Sequence, residues 1–253
     1  MFSPAASASA SSGITTNNLA LTLPQEPMEQ VPSLVSDQSR SASSSGSSMG
    51  GDDHISGAQC GEGNKRAPLI DLYYKFFHAA HPCSLPVHFM RQRLNASRAE
   101  DLQPPGFRLL VLVMQFVGSM YAPSIPSAPL EEKVKAAMAE CSRAPSGFEV
   151  QARLLYSVAV YWMGEIQRSH ELRAMATSQA LALGMNFKEF AADNSHGDPV
   201  LAECWRRTWW QLYITDAHVA SSLHETSFNT SQRDVPVTVE LPCEECEYNS
   251  GVS

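Results

Sequence analysis

From Pro68 onward the apolar residues recur with a helical period. Leu69, Leu72, Tyr73, Phe76 and Phe77 keep the i, i+3, i+4, i+7, i+8 spacing of a one-sided stripe. Pro68 suits a first helical turn, where its missing N–H costs nothing, and Pro82 closes the helix. A second helix is predicted over 87–95. The run 106–121 is apolar nearly all round, with Phe107, Leu110, Met114, Val117 and Tyr121 along one side. Its core, 109–113, has the composition of a buried strand, but the total length favours a helix. Such a helix needs cover on every side. A milder amphipathic helix is expected over 129–143, opened by Pro129 with Glu131 and Glu132 at the positive end of its dipole.

A helical hairpin follows. Phe148, Gln151, Leu155, Val158 and Trp162 share one face, and residues 164–168 make the turn. Leu172, Met175, Ala176, Gln179, Ala180 and Leu183 share a face of the returning helix. Gly184 stands just past its end, where a left-handed residue is wanted. No second copy of the hairpin is visible, which argues against a solenoid. The longest helix is expected over 199–223, with Trp205, Trp209, Leu212, Tyr213, Asp216 and Ala220 on one stripe. Beyond it Val235, Val237, Val239 and Leu241 alternate as in a strand, but Pro236 and Pro242 limit the segment to an extended edge. The pattern as a whole reads as an all-α, multi-helix domain of about seven helices.

Residues 1–66 lack this pattern. Fifteen of them are serine and the sole aromatic is Phe2. So little apolar surface does not offset the entropy of ordering the chain, and a disordered serine-rich tail or linker is expected. A short patch, Leu19 to Leu23, has the composition of a docking segment but is too small to fold. The predicted organisation is a tail over 1–66, a helical domain over 67–248, and a short end at 249–253.

Composition narrows the function. The 253 residues carry 18 Lys+Arg against 26 Asp+Glu, a formal charge of −8. Phosphate contacts need basic residues in excess, so this chain is not expected to hold nucleic acid by its own surface. The longest apolar block, Leu109 to Val117, falls short of the ~20 residues that span a bilayer. No basic segment followed by an apolar block marks a secretory signal. Six scattered cysteines are expected to be reduced.

The chemistry-bearing motifs are weak. His170-Glu171 and His224-Glu225 begin like H-E-x-x-H but lack the second histidine. Cys243 and Cys246 form a C-x-x-C with no partner pair to complete a zinc site and no βαβ context for a redox site. His78, His81, Cys83 and His88 lie within eleven residues, yet Pro82 breaks the helix between them, and a polar helix end accounts for them. No catalytic, metal or cofactor site is read, and no enzyme constellation appears. The most informative stretch holds Arg206, Arg207, Trp209, Trp210, Tyr213 and Asp216. An aspartate on an apolar stripe must be paired, and Arg153 and Arg206 are the partners expected for Asp216.

Glu203-Cys-Trp-Arg-Arg-Thr-Trp-Trp-Gln-Leu-Tyr-Ile-Thr-Asp216 resembles the R-R-x-W-W-x-L-Y-x-x-D signature of the fungal-specific transcription factor domain, the middle regulatory region of fungal zinc-cluster transcription factors. Other pieces agree, in order. Leu69-Ile-Asp-Leu-Tyr-Tyr followed by His81-Pro82 is similar to its opening helix and H-P turn. The helix from Gln151 to Trp162, then Ala180-Leu-Ala-Leu-Gly184, is similar to its central hairpin. Asp234-Val-Pro-Val-Thr-Val-Glu-Leu-Pro-Cys-Glu-Glu245 is similar to its D-V-x-V-x-L-P-C-D-E segment. The resemblance covers Pro68 to Tyr248. Where the family has a G-R-P turn, this chain has Leu223-His-Glu-Thr, and after Gly184 it has Met185-Asn-Phe in place of L-H-R.

The resemblance implies a regulator acting in the nucleus on a metabolic or secondary-metabolite gene set, through the transcription machinery, other proteins or a small effector, as a monomer or dimer. It implies zinc, and DNA contact, only through the family's six-cysteine cluster, which does not occur here. The chain then reads as a regulatory middle piece, incomplete at its C-terminus, with an apolar surface near 107–121 left uncovered. The alternative reading is an α-helical ligand- or protein-binding module with no DNA function.

Overall fold

The apolar run at 105–119 becomes the central helix of the molecule, with twelve of its fifteen residues buried. The computed structural model describes residues 63–96, 103–141, 145–222, 224, 228–231 and 235–252. Among them are nine α-helices: α1 (Gly63–Phe76), α2 (Val87–Ala96), α3 (Pro105–Ser119), α4 (Ala128–Glu140), α5 (Gly147–Trp162), α6 (Ile166–Leu183), α7 (Lys188–Asn194), α8 (Pro199–Ser222) and α9 (Glu245–Ser250). No strand occurs among the described residues. The fold is all-α, as the periodicity predicts.

Helix α3 is covered by α1, α4 and α5, so the expected bare surface near 107–121 is absent except at Met120 and Tyr121, which follow the helix. The α1 crossing is close. A Cβ on Gly118 would stand 1.9 Å from the carbonyl oxygen of Leu69, so only glycine lets the two backbones meet. Helices α3 and α5 run parallel and in register. Phe107 meets Phe148 at 5.1 Å near their starts, and Phe116 meets Tyr156 at 5.5 Å near their ends. Helix α6 returns antiparallel along α5, where Ser169 donates to the carbonyl of Ser157 at 2.7 Å.

The helix ends follow local rules. Gly184 sits at φ +75°, and Met185 N–H reaches Ala180 while Gly184 N–H reaches Leu181, a Schellman ending. Asp198 caps α8 by accepting from the N–H groups of Val200 and Leu201 at 2.9 and 3.2 Å. Glu131 does more than face a dipole. Its carboxylate, on α4, accepts from Tyr156 of α5 at 2.9 Å and Arg168 of α6 at 2.7 Å.

Several expectations are corrected. The tail expected over 1–66 lies, as far as residue 62, outside the described residues, and α1 begins at Gly63 rather than Pro68. Pro68 therefore falls inside the helix. At the sixth position it deprives one first-turn carbonyl, that of Asn64, and leaves the later ladder intact. Two short helices, α7 and α9, escape the periodicity because seven and six residues are too few to display it. Residues 235–244 are extended without pairing in a sheet; Thr238 and Val239 N–H groups both reach the carbonyl of Asn186, at 2.9 and 3.1 Å. Trp162 shares a face with Phe148, Gln151, Leu155 and Val158 by spacing, yet as the last residue of α5 it is 68% exposed. Met175 is likewise exposed.

Candidate functional site

The signature residues lie on α8, and three of them, Arg206, Arg207 and Trp210, grip the strap 235–252, which is extended to 244 and ends in α9. Glu203, fully buried, is the hub. It accepts from Arg206 Nε at 2.8 Å, from Arg207 Nε at 3.0 Å and from the N–H of Cys243 at 2.9 Å. These arginines stand three and four residues after it, the spacing at which helical side chains meet. Arg207 spends its remaining donors on the strap. Nη2 bonds the carbonyl of Cys243 at 2.8 Å, Nη1 bonds Glu245 and lies 3.4 Å from the carbonyl of Pro82, and the guanidinium stands 4.2 Å from the centre of the Tyr248 ring. Only a planar fork serves that many directions at once. Trp210 Nε1 donates to the carbonyl of Glu240 at 2.8 Å, and Tyr213 packs edge-on between Trp210 and Phe228.

Asp216 closes the other end of α8. Its partners are Arg173 on α6 and Thr230, whose N–H and hydroxyl donate at 2.9 and 3.1 Å. The expectation that Arg153 or Arg206 pairs with Asp216 is overturned. Arg153 is engaged by Glu149 one turn before it on α5, and Arg206 by Glu203. Both have an acidic neighbour within one helical turn, whereas Asp216 has no such basic neighbour and draws its cation from α6. Thr230 belongs to the Asn229–Ser231 turn that follows α8.

Beneath the clamp runs a buried polar seam. Gln151 on α5 donates to the carbonyl of Cys83 at 2.7 Å and to Thr208 at 2.8 Å. Tyr73 and Ser84 share a hydrogen bond at 3.0 Å, Ser84 meets His78 Nδ1 at 3.1 Å, and Tyr248 donates to the carbonyl of Ser84 at 3.2 Å. The H-P turn, α1, α5, α8 and α9 are thus joined. Trp209 is fully buried, with no hydrogen-bond partner for Nε1.

The site's titration chemistry is that of a protected interior. Burial pushes the Cys204 thiol up to about 11 and raises the Cys83 thiol further. Burial also raises Tyr73 and Tyr248 well above the ordinary phenol value. Burial lowers His78 to about 4, against the opposing pull of Glu245. These groups are held neutral at physiological pH, which suits packing and hydrogen bonding rather than nucleophilic attack.

The remaining motifs disperse. His81 meets Gln211 through Nδ1 at 3.3 Å, His88 lies tilted against Phe89, and Cys83 is buried. Cys243 is half-buried and contributes through its backbone, while Cys246 is exposed. Among the described residues no group of three or more His, Cys, Asp or Glu is placed to hold a metal ion. No helix among them is long and apolar enough to cross a membrane. Reading the sequence missed Glu203, Arg173, Thr230, Gln151 and Tyr248. Glu203 was within reach, as the carboxylate three and four positions before two arginines; the others depend on chain segments brought together by folding.

The comparisons with known proteins agree with this layout. The fungal specific transcription factor domain matches residues 70–253, which include the H-P turn, the hairpin, α8 and the strap. The C6 finger domain transcription factor iacK of Pestalotiopsis fici is 31% identical over 183 residues, 72% of this chain. The matched region spans 26% of that relative's length. No solved structure matches the chain.

Proposed function

We propose, from the premise that this chain belongs to the family of the fungal specific transcription factor domain, that it is the regulatory middle region of a transcription regulator of the zinc-cluster type. It acts in the nucleus on a metabolic or secondary-metabolite gene set, and it transmits a signal through protein partners or a small effector. DNA is read by a six-cysteine cluster outside this sequence, which is also where zinc belongs. In this reading the division of the chain is a linker over 1–66, a helical regulatory domain over 67–248 and a short end at 249–253. The family's members and the relative above are transcription factors, and an enzymatic role is not proposed.

One observation carries the reading. The residues that make the sequence recognisable are committed inside the domain: Arg206 bonds Glu203, Arg207 and Trp210 bond the strap, Asp216 bonds Arg173, Tyr213 packs on Trp210, and Trp209 is fully buried. Their role is to hold a module in shape, which is what a domain working through its surface requires. The test is to fuse the 253-residue chain to a heterologous DNA-binding domain and read a reporter gene. The fusion is expected to change transcription relative to the DNA-binding domain alone, and Arg207→Ala is expected to abolish the change. A fusion that leaves the reporter at the control level in either direction would count against a regulatory role and favour a binding module without DNA function.

A further inference from the structure

The outer flank of α8 and the strap beside it set apolar side chains among carboxylates. Leu241 is 73% exposed, more than any other large apolar residue described, and Ile214 is 59% exposed. Trp210, one turn before Ile214 on α8, is half-buried, and its indole N–H holds the carbonyl of Glu240, next to Leu241. Leu241 does not sit on a loose loop. Glu240 is fastened by that bond, and Cys243 by Glu203 and Arg207, so the leucine stands outward between two fixed points. An apolar side chain already held in place gives up little conformational entropy when it is covered, and a contact made there keeps more of its free energy as affinity.

The charges of the strap have one sign. Residues 235–252 contain four glutamates and no lysine or arginine. The Glu240 side chain is 70% exposed, and Glu244 and Glu247 are exposed as well. The arginines beneath are already engaged. Arg207 is spent on Glu203 and Glu245, and Arg206 meets Glu203 at 2.8 Å and Glu240 only at 3.7 Å. Lys188, whose N–H meets Thr238 at 3.2 Å, is a cation toward the other end of the strap. This rim decides what covers the apolar strip. A second copy brings the same glutamates and is repelled. Residues 1–62 of the chain itself hold one basic residue, Arg40, against six acidic ones. Nucleic acid and anionic lipid carry the wrong charge. The complementary occupant is another protein's segment with lysines or arginines beside apolar residues, and an amphipathic helix presents both at i, i+3, i+4 spacing.

We infer that this face docks a basic amphipathic helix of another protein, with its apolar stripe on Leu241, Ile214 and Trp210 and its lysines or arginines against Glu240, Glu244 and Glu247. The inference goes beyond the transcriptional reading and does not depend on it. The carboxylates are exposed, so they steer and orient the partner more than they tighten its hold, and salt weakens the complex. The apolar contact supplies the part of the affinity that salt leaves in place.

The test is fluorescence anisotropy of a labelled synthetic helix titrated with the full chain. The probe has leucines on one face, lysines on the other and about 18 residues, above the ~15 below which isolated helices are marginal. It is expected to bind with a Kd of about 1–100 µM, as for a small interface, and at least about 3-fold more weakly when salt is raised from about 50 to 300 mM. The same helix with glutamate in place of lysine is expected not to bind. Leu241→Ser and, separately, Glu240→Gln with Glu247→Gln are each expected to weaken binding at least about 5-fold, the scale at which an interface residue counts. Two charges removed elsewhere, by Glu132→Gln with Glu171→Gln, leave the affinity unchanged, as does Trp162→Ser at the exposed end of α5. All these side chains are exposed, and melting curves of the variants are expected to match the parent. The proposal is overturned by no binding at about 100 µM, by equal binding of the glutamate helix, or by an affinity indifferent to Leu241→Ser and to the Glu240 and Glu247 changes. A loss as large in the Glu132 and Glu171 variant, or in Trp162→Ser, would also overturn it.

Discussion

Trp209 and Cys243 both belong to motifs of the resemblance, and the structure separates what they do. Trp209 fills the centre of the core with a fully buried ring, so Trp209→Ala leaves a large cavity and is expected to cost roughly 3–5 kcal/mol. Cys243 serves through its N–H and carbonyl, which any residue but proline supplies. Cys243→Ser is expected to cost less than about 1 kcal/mol. Urea melts of the two variants read the difference, and equal losses would refute the assignment. His78 sets a pH dependence. Burial lowers it to about 4, below its ordinary value of 6.5, so the folded state resists a proton that the unfolded chain accepts. Its contribution is fully present above pH 6.5 and is lost as pH falls from there toward 4. The effect is at most about 3 kcal/mol and is reduced by what water reaches the ring. The gap between melts at pH 7 and pH 4.5 is expected to narrow in the His78→Gln variant, with the half-buried His81 supplying part of what remains, and an undiminished acid loss in that variant would place the sensor elsewhere. Of the residues in these two arguments, Trp209 was legible as core from its place on the α8 stripe. The neutrality of His78 was not, because it depends on the turn that folds over it.

At the scale of elements, the strap 235–252 is the part whose place depends most on one side chain. It forms no sheet, and α9 is six residues long, well short of the ~12 at which isolated helices become marginal. Its attachments converge on Arg207, which binds Cys243 and Glu245 and lies over Tyr248. Burial disfavours the Arg207 cation, but Glu245 and Glu203 hold it charged and raise its pKa. Removing it leaves the carboxylate of Glu203 buried and short of a partner. Arg207→Ala is therefore expected to cost about 3–5 kcal/mol, the range for breaking a buried pair. Hydrogen exchange at Tyr248, Gly251 and Val252 is expected to accelerate before exchange in α3 and α5 does. Uniform acceleration across all helices would mean that the strap is no separate unit. Arg207→Lys is expected to recover little, since an ammonium does not span Glu203, Cys243 and Glu245 together.

For the whole molecule, charge decides what this chain does unaided. With 26 acidic and 18 basic residues it lacks the excess of cations that releases counterions from DNA. The chain alone is expected to show no sequence-specific shift of DNA at physiological salt. A nanomolar preference for one sequence over its scrambled version would contradict this. The arginines most suggestive of phosphate contact in the sequence, Arg206 and Arg207, are already committed to Glu203, Glu240 and Glu245. The acidity and the helical clamp thus point the same way.

The sequence by itself determined the helices long enough to show a period, α1 through α6 and α8, along with their Gly184 and Pro199 boundaries and the family signature. Period tells which side of a helix is apolar, and a cap is a matter of a few neighbouring residues, so both are written locally. Tertiary structure decided the rest. Asp216 found Arg173, 43 residues away, rather than either expected arginine. Helices α7 and α9 exist because Phe190 and Tyr248 are buried against distant elements. Trp162 ended outside, at the last residue of α5, although it completes the stripe whose other members are buried. In each case the local pattern states that a side chain is charged or apolar, while the fold supplies the partner, and a partner far along the chain leaves no mark on the pattern.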